Sequence, residues 1–456
     1  MTSEQGEDKR LKNSTLFFYG LTDMPVMMSI FPMLVFIPRF YSTDVGVSLA
    51  LVGTIILVVR IMDVVTDPLM GYVSDRFRFS LFGRDLGRRR PWVILATPIM
   101  MVSIYQLYMP PEGADGFHMF VWMALLSVGT TMMIIPYYAW GAELSSDYFE
   151  RSRITGWRAA MGAVGQLTAQ LVPTGAKLFF GIGGTVVVLQ LVGVTMLMVM
   201  PVAVLLTVLL TPEPQTAQRA VNPVLPGLKL MLKNGPFLRL VFAFMIGFIG
   251  LNITTPLYLF FVADVLGAED RTVYMLSCFY LSTIASIPFW VWLAGKVSKH
   301  KAYVASYVLI ACAHPFYLLL GPGDFWWMLP ITLVTGFAAG GFSQTLPNSL
   351  KADVIDLDHL QSGENRSGLF FSAWSFAQKA TASIGGAIAM FGLALWGFDA
   401  SPQATNGEWE VFGLRFLFST FPSLFFLTGA LLVWNFPITP ERHKEIRAEL
   451  AAKGLA

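Results

Sequence analysis

Long apolar runs alternate with short polar connections along almost the whole chain. A membrane-spanning helix needs about 20 apolar residues, because each adds about 1.5 Å and the hydrocarbon layer is about 30 Å thick. Twelve runs have that length, at 15–37, 48–72, 92–110, 117–142, 158–180, 184–211, 236–262, 272–294, 301–321, 325–349, 367–396 and 412–437. None shows the alternation over about 10 residues that marks a β-barrel strand. The pattern predicts an all-α integral membrane protein with twelve transmembrane helices. The eleventh run is long enough to end in a surface helix.

The connections set the orientation. Those after the even-numbered runs are basic: Arg76, Arg78, Arg84, Arg88, Arg89 and Arg90 after the second, Arg219, Lys229 and Lys233 after the sixth, Lys296, Lys299 and Lys301 around the end of the eighth. Arg442, Lys444 and Arg447 follow the twelfth. The opposite connections hold only Arg39, Lys177 and Arg271, among acids such as Asp115, Asp264, Glu269, Asp399, Glu408 and Glu410. Basic loops stay in the cytoplasm, so both termini are expected there, in a cell (inner) membrane. The acidic start Met-Thr-Ser-Glu-Gln-Gly-Glu-Asp lacks the apolar core of a signal peptide.

The connection 212–235 opens Pro-Glu-Pro-Gln and divides six runs from six. It predicts an N-terminal half over 1–213 and a C-terminal half over 214–456, the latter carrying the linker 212–235 and a cytoplasmic tail. Each half has a short basic connection after its second run, starting at Gly71 and at Gly295. This weak repeat fits two six-helix halves related by a pseudo-two-fold axis. Pro25, Pro32, Pro136, Pro256, Pro288, Pro315 and Pro347 interrupt the runs; such bends are common in transporters and are tolerated in any membrane helix.

Composition agrees with this picture. Only 13% of the 456 residues are charged and 55% are hydrophobic, against about 25% charged in a soluble domain. Cys278 and Cys312 both lie in apolar runs and give no disulfide framework, and no Cys/His pattern suggests zinc. No phosphate-binding glycine loop is present, so an ion gradient is the expected energy source.

The charges inside the runs carry the candidate chemistry. They are Asp23 in the first, Arg60, Asp63 and Asp67 in the second, Arg158 opening the fifth, and Lys379 in the eleventh. A charge at the centre of a membrane helix costs roughly 2.5–3.5 kcal/mol on insertion scales. Unpaired, the six would cost on the order of 15–20 kcal/mol, so pairing across a polar cavity is expected. At about 100° per residue, positions 60, 63 and 67 share one face within about 60°. Asp63 and Asp67, one turn apart, suit a small hard cation, and Thr66 and Thr131 add neutral oxygens. No cofactor is expected, only a co-transported Na+, Li+ or H+, and the metal site is for an alkali cation alone. Lys379, if near, would compete with the ion for the carboxylates, which makes a switch. Tyr19, Tyr137, Tyr138, Trp140, Gln166, Gln170, Asn252, Gln344, Asn348 and Trp374 each read singly as helix packing or interfacial anchors, but as a group beside Asp23 and Arg158 they are expected to line the same region and suit a polar organic solute, with Tyr138 and Trp374 taken as substrate ligands. His314 reads as a packing residue. Asp75, Arg76 and Arg88–Arg90 are expected to pair with acids on neighbouring helix ends, such as Glu143, Asp147 or Asp353, latching the cytoplasmic side.

These residues resemble a known family. The run from Arg60 through Asp67-Pro68-Leu-Met-Gly71, followed by Gly87-Arg-Arg-Arg-Pro91-Trp92, resembles the melibiose-carrier branch of the major facilitator superfamily, the glycoside–pentoside–hexuronide:cation symporters. Tyr19-Gly20 with Asp23, Ala142-Glu143-Leu144 with Glu150-Arg151, Ala352-Asp353-Val354-Ile355-Asp356 and Gln378-Lys379 extend the likeness over nearly the whole chain. The resemblance implies that Asp63, Asp67 and Thr131 ligate the cation, that Asp23 and Arg158 bind the sugar, and that Lys379 sits between the two sites. In one respect the chain departs from it. Melibiose carriers have an acid two residues before the fourth-span proline and a tryptophan two after it, where this chain has Ile134 and Tyr138. Relatives in the same broad family carry lysophospholipids.

The expected function is symport: Na+ or H+ moves inward and drives uptake of a sugar, glycoside or related polar solute by alternating access. Arg60, Asp75, Arg76, Arg88, Arg89, Glu143, Asp353 and Lys379 are the expected coupling and gating residues. The partners are a small-molecule substrate, the coupling cation and the bilayer, with no nucleic acid, in a monomer. The rival readings are a lysolipid or other amphiphile symporter and a proton-driven exporter. A non-transporting sensor is disfavoured because no sizeable soluble domain is present, and an enzyme because no nucleophile–base pair or metal set occurs.

Overall fold

The computed structural model describes residues 10–453, except 78–79, 82–83, 86, 146–147, 182–183, 214–233, 364–366 and 402–403, and only the backbone of 80–81, 84–85, 148–149, 151–152, 344, 367–369 and 371–372. Asp147, Arg78, Arg219, Lys229, Lys233 and most of the linker 212–235 fall outside the described residues, as do the side chains of Arg84, Arg151 and Gln344. The chain forms two compact units, Met1–Arg219 and Ala220–Ala456.

The first unit contains α1 (Asn13–Gly20), α2 (Asp23–Thr43), α3 (Leu49–Arg76), α4 (Arg90–Tyr108), α5 (Gly116–Glu143), α6 (Tyr148–Phe180) and α7 (Thr185–Leu210). Its polar connections explain where the helices start. Ser48 accepts from Leu51 N at 3.4 Å to begin α3, and Asp115 accepts from His118 N at 2.9 Å to begin α5. Between α3 and α4 the chain makes a two-rung antiparallel pair, β1 (Ser80–Leu81) with β2 (Arg84–Asp85). The first apolar run is not one helix but two, α1 and α2, stepping at Leu21–Thr22. The fifth helix starts ten residues before its apolar run, because Glu150 and Arg153 pair with each other and with the chain at Leu11 and Asn13 and so continue the helix in polar form.

The second unit contains α8 (Gly235–Phe260), α9 (Thr272–Lys296), α10 (Lys299–Ala313), α11 (Met328–Ala339), α12 (Leu346–Ser362), α13 (Ser367–Leu395), α14 (Glu408–Phe418), α15 (Thr420–Val433) and α16 (Pro440–Ala452). Its spans are less regular. The π-helical segments Phe261–Val265 and Gly340–Thr345 extend α8 and join α11 to α12, and α10 tightens to a 3-10 turn at His314 and Pro315, where the proline removes a donor. The tenth run therefore continues well past 349, to Ser362. An aromatic core built on Phe244, Tyr307, Phe342 and Phe426 binds this unit together, and His314 packs within 5.4 Å of the Tyr317 and Phe426 rings, as a core residue. Among the described residues ten helical stretches are long and apolar enough to cross a membrane. The fifth and eleventh runs correspond to α6 and α13, of 33 and 29 residues.

Candidate functional site

The second-run stripe lies on α3 and faces α5. Arg60 and Asp63 meet directly: Arg60 Nη1 donates to Asp63 Oδ2 at 3.0 Å. The arginine therefore has a partner three residues away on its own helix. The other carboxylate oxygen, Asp63 Oδ1, accepts from Ser127 Oγ at 2.5 Å. One turn along, Asp67 Oδ1 accepts from Thr131 Oγ1 at 2.8 Å. Residues 63 and 67 on α3 are spaced as residues 127 and 131 are on α5, so two parallel helices join through two hydroxyl–carboxylate rungs. Asp63, Ser127 and Thr131 are buried. Thr66 Oγ1, also buried, has no hydrogen-bond partner among the described residues. Two carboxylates and one guanidinium leave one net negative charge. Oxygen ligands with that charge suit one hard monovalent cation. Ser127 was not among the residues singled out from the sequence, although its four-residue spacing to Thr131 was a readable signal.

A second polar group lies farther along α5. Tyr138 donates to Asp23 Oδ1 at 3.2 Å, and the Arg158 guanidinium lies over the Tyr138 ring, 3.7 Å from its centroid. Asp23 is buried, and Arg158 Nη1 is buried without a hydrogen-bond partner among the described residues. Glycines on α6 permit this approach. A Cβ at Gly162 would meet Asp23 Oδ2, and one at Gly165 would collide with the Met24 carbonyl. With hydrogen there, α6 lies close against α2 and carries Arg158 to Tyr138.

Three of the expected lining residues are packing residues instead. Tyr19 and Tyr137 stack at 4.7 Å and exchange hydrogen bonds with each other's backbone, Tyr19 OH to Tyr137 O at 3.0 Å and Tyr137 OH to Tyr19 O at 2.6 Å. Trp140 Nε1 donates to Pro212 O at 2.9 Å. All three are fully buried, so their polar atoms are spent on holding α1 and α7 to α5. The sequence could not separate the roles, because a membrane helix is apolar all round and its periodicity does not point to a cavity.

The arginines at the start of α4 form a dense cluster within the first unit. Arg89 Nη2 lies 2.6 Å from Glu143 Oε1 and 2.7 Å from Asp75 Oδ1, while Arg88 Nη2 reaches the same Glu143 oxygen at 2.9 Å. Burial disfavours a charged Arg89, but its hydrogen bonds and charge interactions with Glu143 and Asp75 outweigh this and raise its pKa above the ordinary arginine value. Arg76 has another partner, the Tyr72 ring, 4.0 Å below its guanidinium. Glu213, at the end of α7, had escaped notice in the sequence. Its Oε1 accepts from the backbone N of Arg88 and Arg89, at 2.5 and 2.7 Å, and its carboxylate lies where a Cβ at Gly87 would stand. Gly87 has φ +80°, a conformation that favours glycine and lets the backbone wrap the acid at the α4 N-terminus.

In the second unit Asp353 pairs with Lys299 Nζ at 2.6 Å and His443 Nε2 at 3.3 Å. Trp374 is buried against Phe244, ring centroids 4.2 Å apart, with Lys351 Nζ 4.9 Å from its own ring centroid. Lys351, buried and hydrogen-bonded to Asn348 Oδ1 at 3.0 Å, is a deep charge that the run boundary at 349 had hidden. Lys379 is half-buried on α13.

A family model described as MFS/sugar transport protein matches residues 18–440. The chain is 26% identical to the glucuronide carrier protein homolog of Escherichia coli, over 97% of this chain and 96% of that protein. It is 27% identical to the putative glycoside/cation symporter YagG of the same organism, over 96% and 95%. The sodium-dependent lysophosphatidylcholine symporter 1 of Homo sapiens is 25% identical, over 91% of this chain and 80% of that protein. Among solved structures, the nucleoside transporter NupG shares the backbone course with TM-score 0.64 at 13% identity, over 93% of this chain and 98% of that one.

Proposed function

We propose a cation-coupled symport cycle for this chain, which belongs to the MFS/sugar transport protein family, has the major facilitator fold and is a multi-pass membrane transporter, not an enzyme. In this reading Asp63 and Asp67 bind the coupling ion, Thr66 and Thr131 add oxygens, and Asp23, Tyr138 and Arg158 bind a hydroxyl-rich solute such as a sugar or glycoside. The observation that carries it is the pair of carboxylates held one turn apart by hydroxyls of a neighbouring helix. A carboxylate buried only for packing is costly, whereas one that takes and releases an ion has a use for its charge. Arg158 Nη1, without a hydrogen-bond partner among the described residues, supports the solute site, since a buried guanidinium donor gains from a ligand oxygen. Similarity to symporters named for glycosides and for sodium supports the coupling.

Na+ is the proposed ion because its hard oxygen preference matches the carboxylates and hydroxyls. The likeness to the lysophosphatidylcholine symporter supports a second cargo, an amphiphile whose charged head would meet Arg158. In this cycle Lys379 is the proposed coupling residue and Trp374 a proposed substrate ligand, and the arginine cluster around Glu143 stabilises one of its states. The cell membrane with cytoplasmic termini is the proposed setting.

The test is uptake by proteoliposomes under an inward Na+, Li+ or H+ gradient, with glycosides, uronates and lysophospholipids as cargo. Asp67→Asn should abolish cation-driven uptake and raise the half-saturating Na+ at least about tenfold, roughly 1.4 kcal/mol. Uptake by Asp67→Asn that keeps its cation dependence would overturn the assignment.

A further inference from the structure

We infer that Ser127 is a ligand of the coupling cation and helps decide which alkali ion the site accepts; the inference rests on the reading of Asp63 and Asp67 as the ion's carboxylates. Three features lead to it. First, Ser127 Oγ holds Asp63 Oδ1, the oxygen of that carboxylate that Arg60 does not take. Any cation reaching Asp63 must share that oxygen, and so must meet the serine. Second, Ser127 and Thr131 stand at matching positions, one turn apart on α5, opposite acids one turn apart on α3. What is true of the threonine's geometry is true of the serine's. Third, Thr66 Oγ1, on the residue before Asp67, is buried with no hydrogen-bond partner among the described residues. A buried hydroxyl without a hydrogen bond is costly, and a cation among these oxygens would satisfy it.

The chemistry is a change of role at one atom. A hydroxyl is one donor and two acceptors. As seen here, the Ser127 hydroxyl donates to Asp63. A cation drawing on the same carboxylate oxygen turns the hydroxyl so that its lone pair faces the ion. Asp63 Oδ1, Asp67 Oδ1, Ser127 Oγ, Thr131 Oγ1 and Thr66 Oγ1 then present five oxygens, two of them charged. Arg60 holds the other side of Asp63, so that carboxylate cannot swing to follow a larger ion. The neutral oxygens around it set the size of the site.

The experiment uses purified full-length protein in detergent, without solute. Thermal stability is followed against NaCl and LiCl, with choline chloride holding ionic strength. Ser127→Ala should raise the half-saturating Na+ about tenfold and change the Na+ to Li+ ratio. Ser127→Thr, which restores the hydroxyl, should stay within about threefold of the parent. Ser127→Cys, which offers a soft sulfur that a hard cation avoids, should behave as alanine does and serves if the alanine variant does not purify. Thr130→Val is the control, because the Thr130 hydroxyl bonds back to Leu126 O at 2.7 Å, and should change neither value. Asp63→Asn separates the two levels. If it removes cation stabilisation while Ser127→Ala leaves midpoint and ratio unchanged, the serine is no ligand and the cation site stands. If Ser127→Thr shifts the midpoint as far as Ser127→Ala, the hydroxyl is not the cause and the inference fails. If Asp63→Asn also changes nothing, the site reading itself is wrong.

Discussion

Replacing Arg89 by alanine tests how much of the first unit's stability lies in its arginine cluster. Arg89 is only 4% exposed, and its guanidinium reaches Glu143 at 2.6 Å, Asp75 at 2.7 Å and the Ser74 hydroxyl at 3.3 Å. Removing one partner from a buried ion pair costs about 3–5 kcal/mol, because the other charge is left uncompensated. Here the cost is smaller. Asp75 is 45% exposed and takes water in place of the arginine, and Glu143 keeps Arg88 at 2.9 Å. About 2–3 kcal/mol is the expected loss. At about 2–4 °C per kcal/mol for a unit of this size, the melting temperature in detergent should fall by about 5–10 °C. Arg89→Lys should recover only part of it, since a point charge cannot reach both acids and Ser74 with one fork. A double-mutant cycle with Glu143→Ala should give a coupling of about 1–3 kcal/mol, little changed by salt because the pair is buried. The raised Arg89 pKa keeps it charged throughout neutral and mildly alkaline pH, so its contribution should not vanish as pH rises from 6 to 9. A fall below 1 °C for Arg89→Ala, or a coupling near zero, would refute the reasoning.

Two further outcomes are expected. Tyr138→Phe keeps the ring beneath Arg158 but deprives Asp23 of its donor, so melting should show a loss of about 1–3 kcal/mol, with Tyr138→Ala losing more because the cation–π contact goes too; equal losses would place the energy elsewhere. Gly165→Ala forces a Cβ into the Met24 carbonyl and should cost about 1–3 kcal/mol by overpacking, while weakening solute stabilisation through Arg158. Full retention of both would mean that α6 does not need its close approach to α2.

The helices were legible because lipid imposes their length on the chain itself. The boundaries that moved did so for local reasons. Polar pairs extended α6 backward from 158 to 148, and the π segment at Gly340–Thr345 carried the tenth run on into a polar helix. The Arg60–Asp63 pair is readable in principle, since residues three apart on a helix are neighbours. Tyr19, Tyr137 and Trp140 were not readable. An aromatic ring with a polar tip serves a cavity or a packing joint equally well, and only its hydrogen-bond partners decide. Glu213 was hidden because its role is to cap a helix more than a hundred residues earlier in the chain, at Arg88 and Arg89.

One face of α5 carries Ser127, Thr131, Ile134 and Tyr138, at spacings of four, three and four. The hydroxyls meet the α3 acids, the tyrosine meets Asp23, and the two groups are about 10 Å apart along the helix axis. Ile134, on the same face between them, offers no polar atom through which charge or a proton passes from one end to the other. Any coupling along this face would therefore be mechanical. With side chains at about 5–6 Å from the axis, a rotation of about 20° moves every one of these oxygens by about 2 Å. That is enough to break all three hydrogen bonds together. Turning as a unit, α5 would couple the Asp63–Asp67 group to the Asp23 group with no residue touching both.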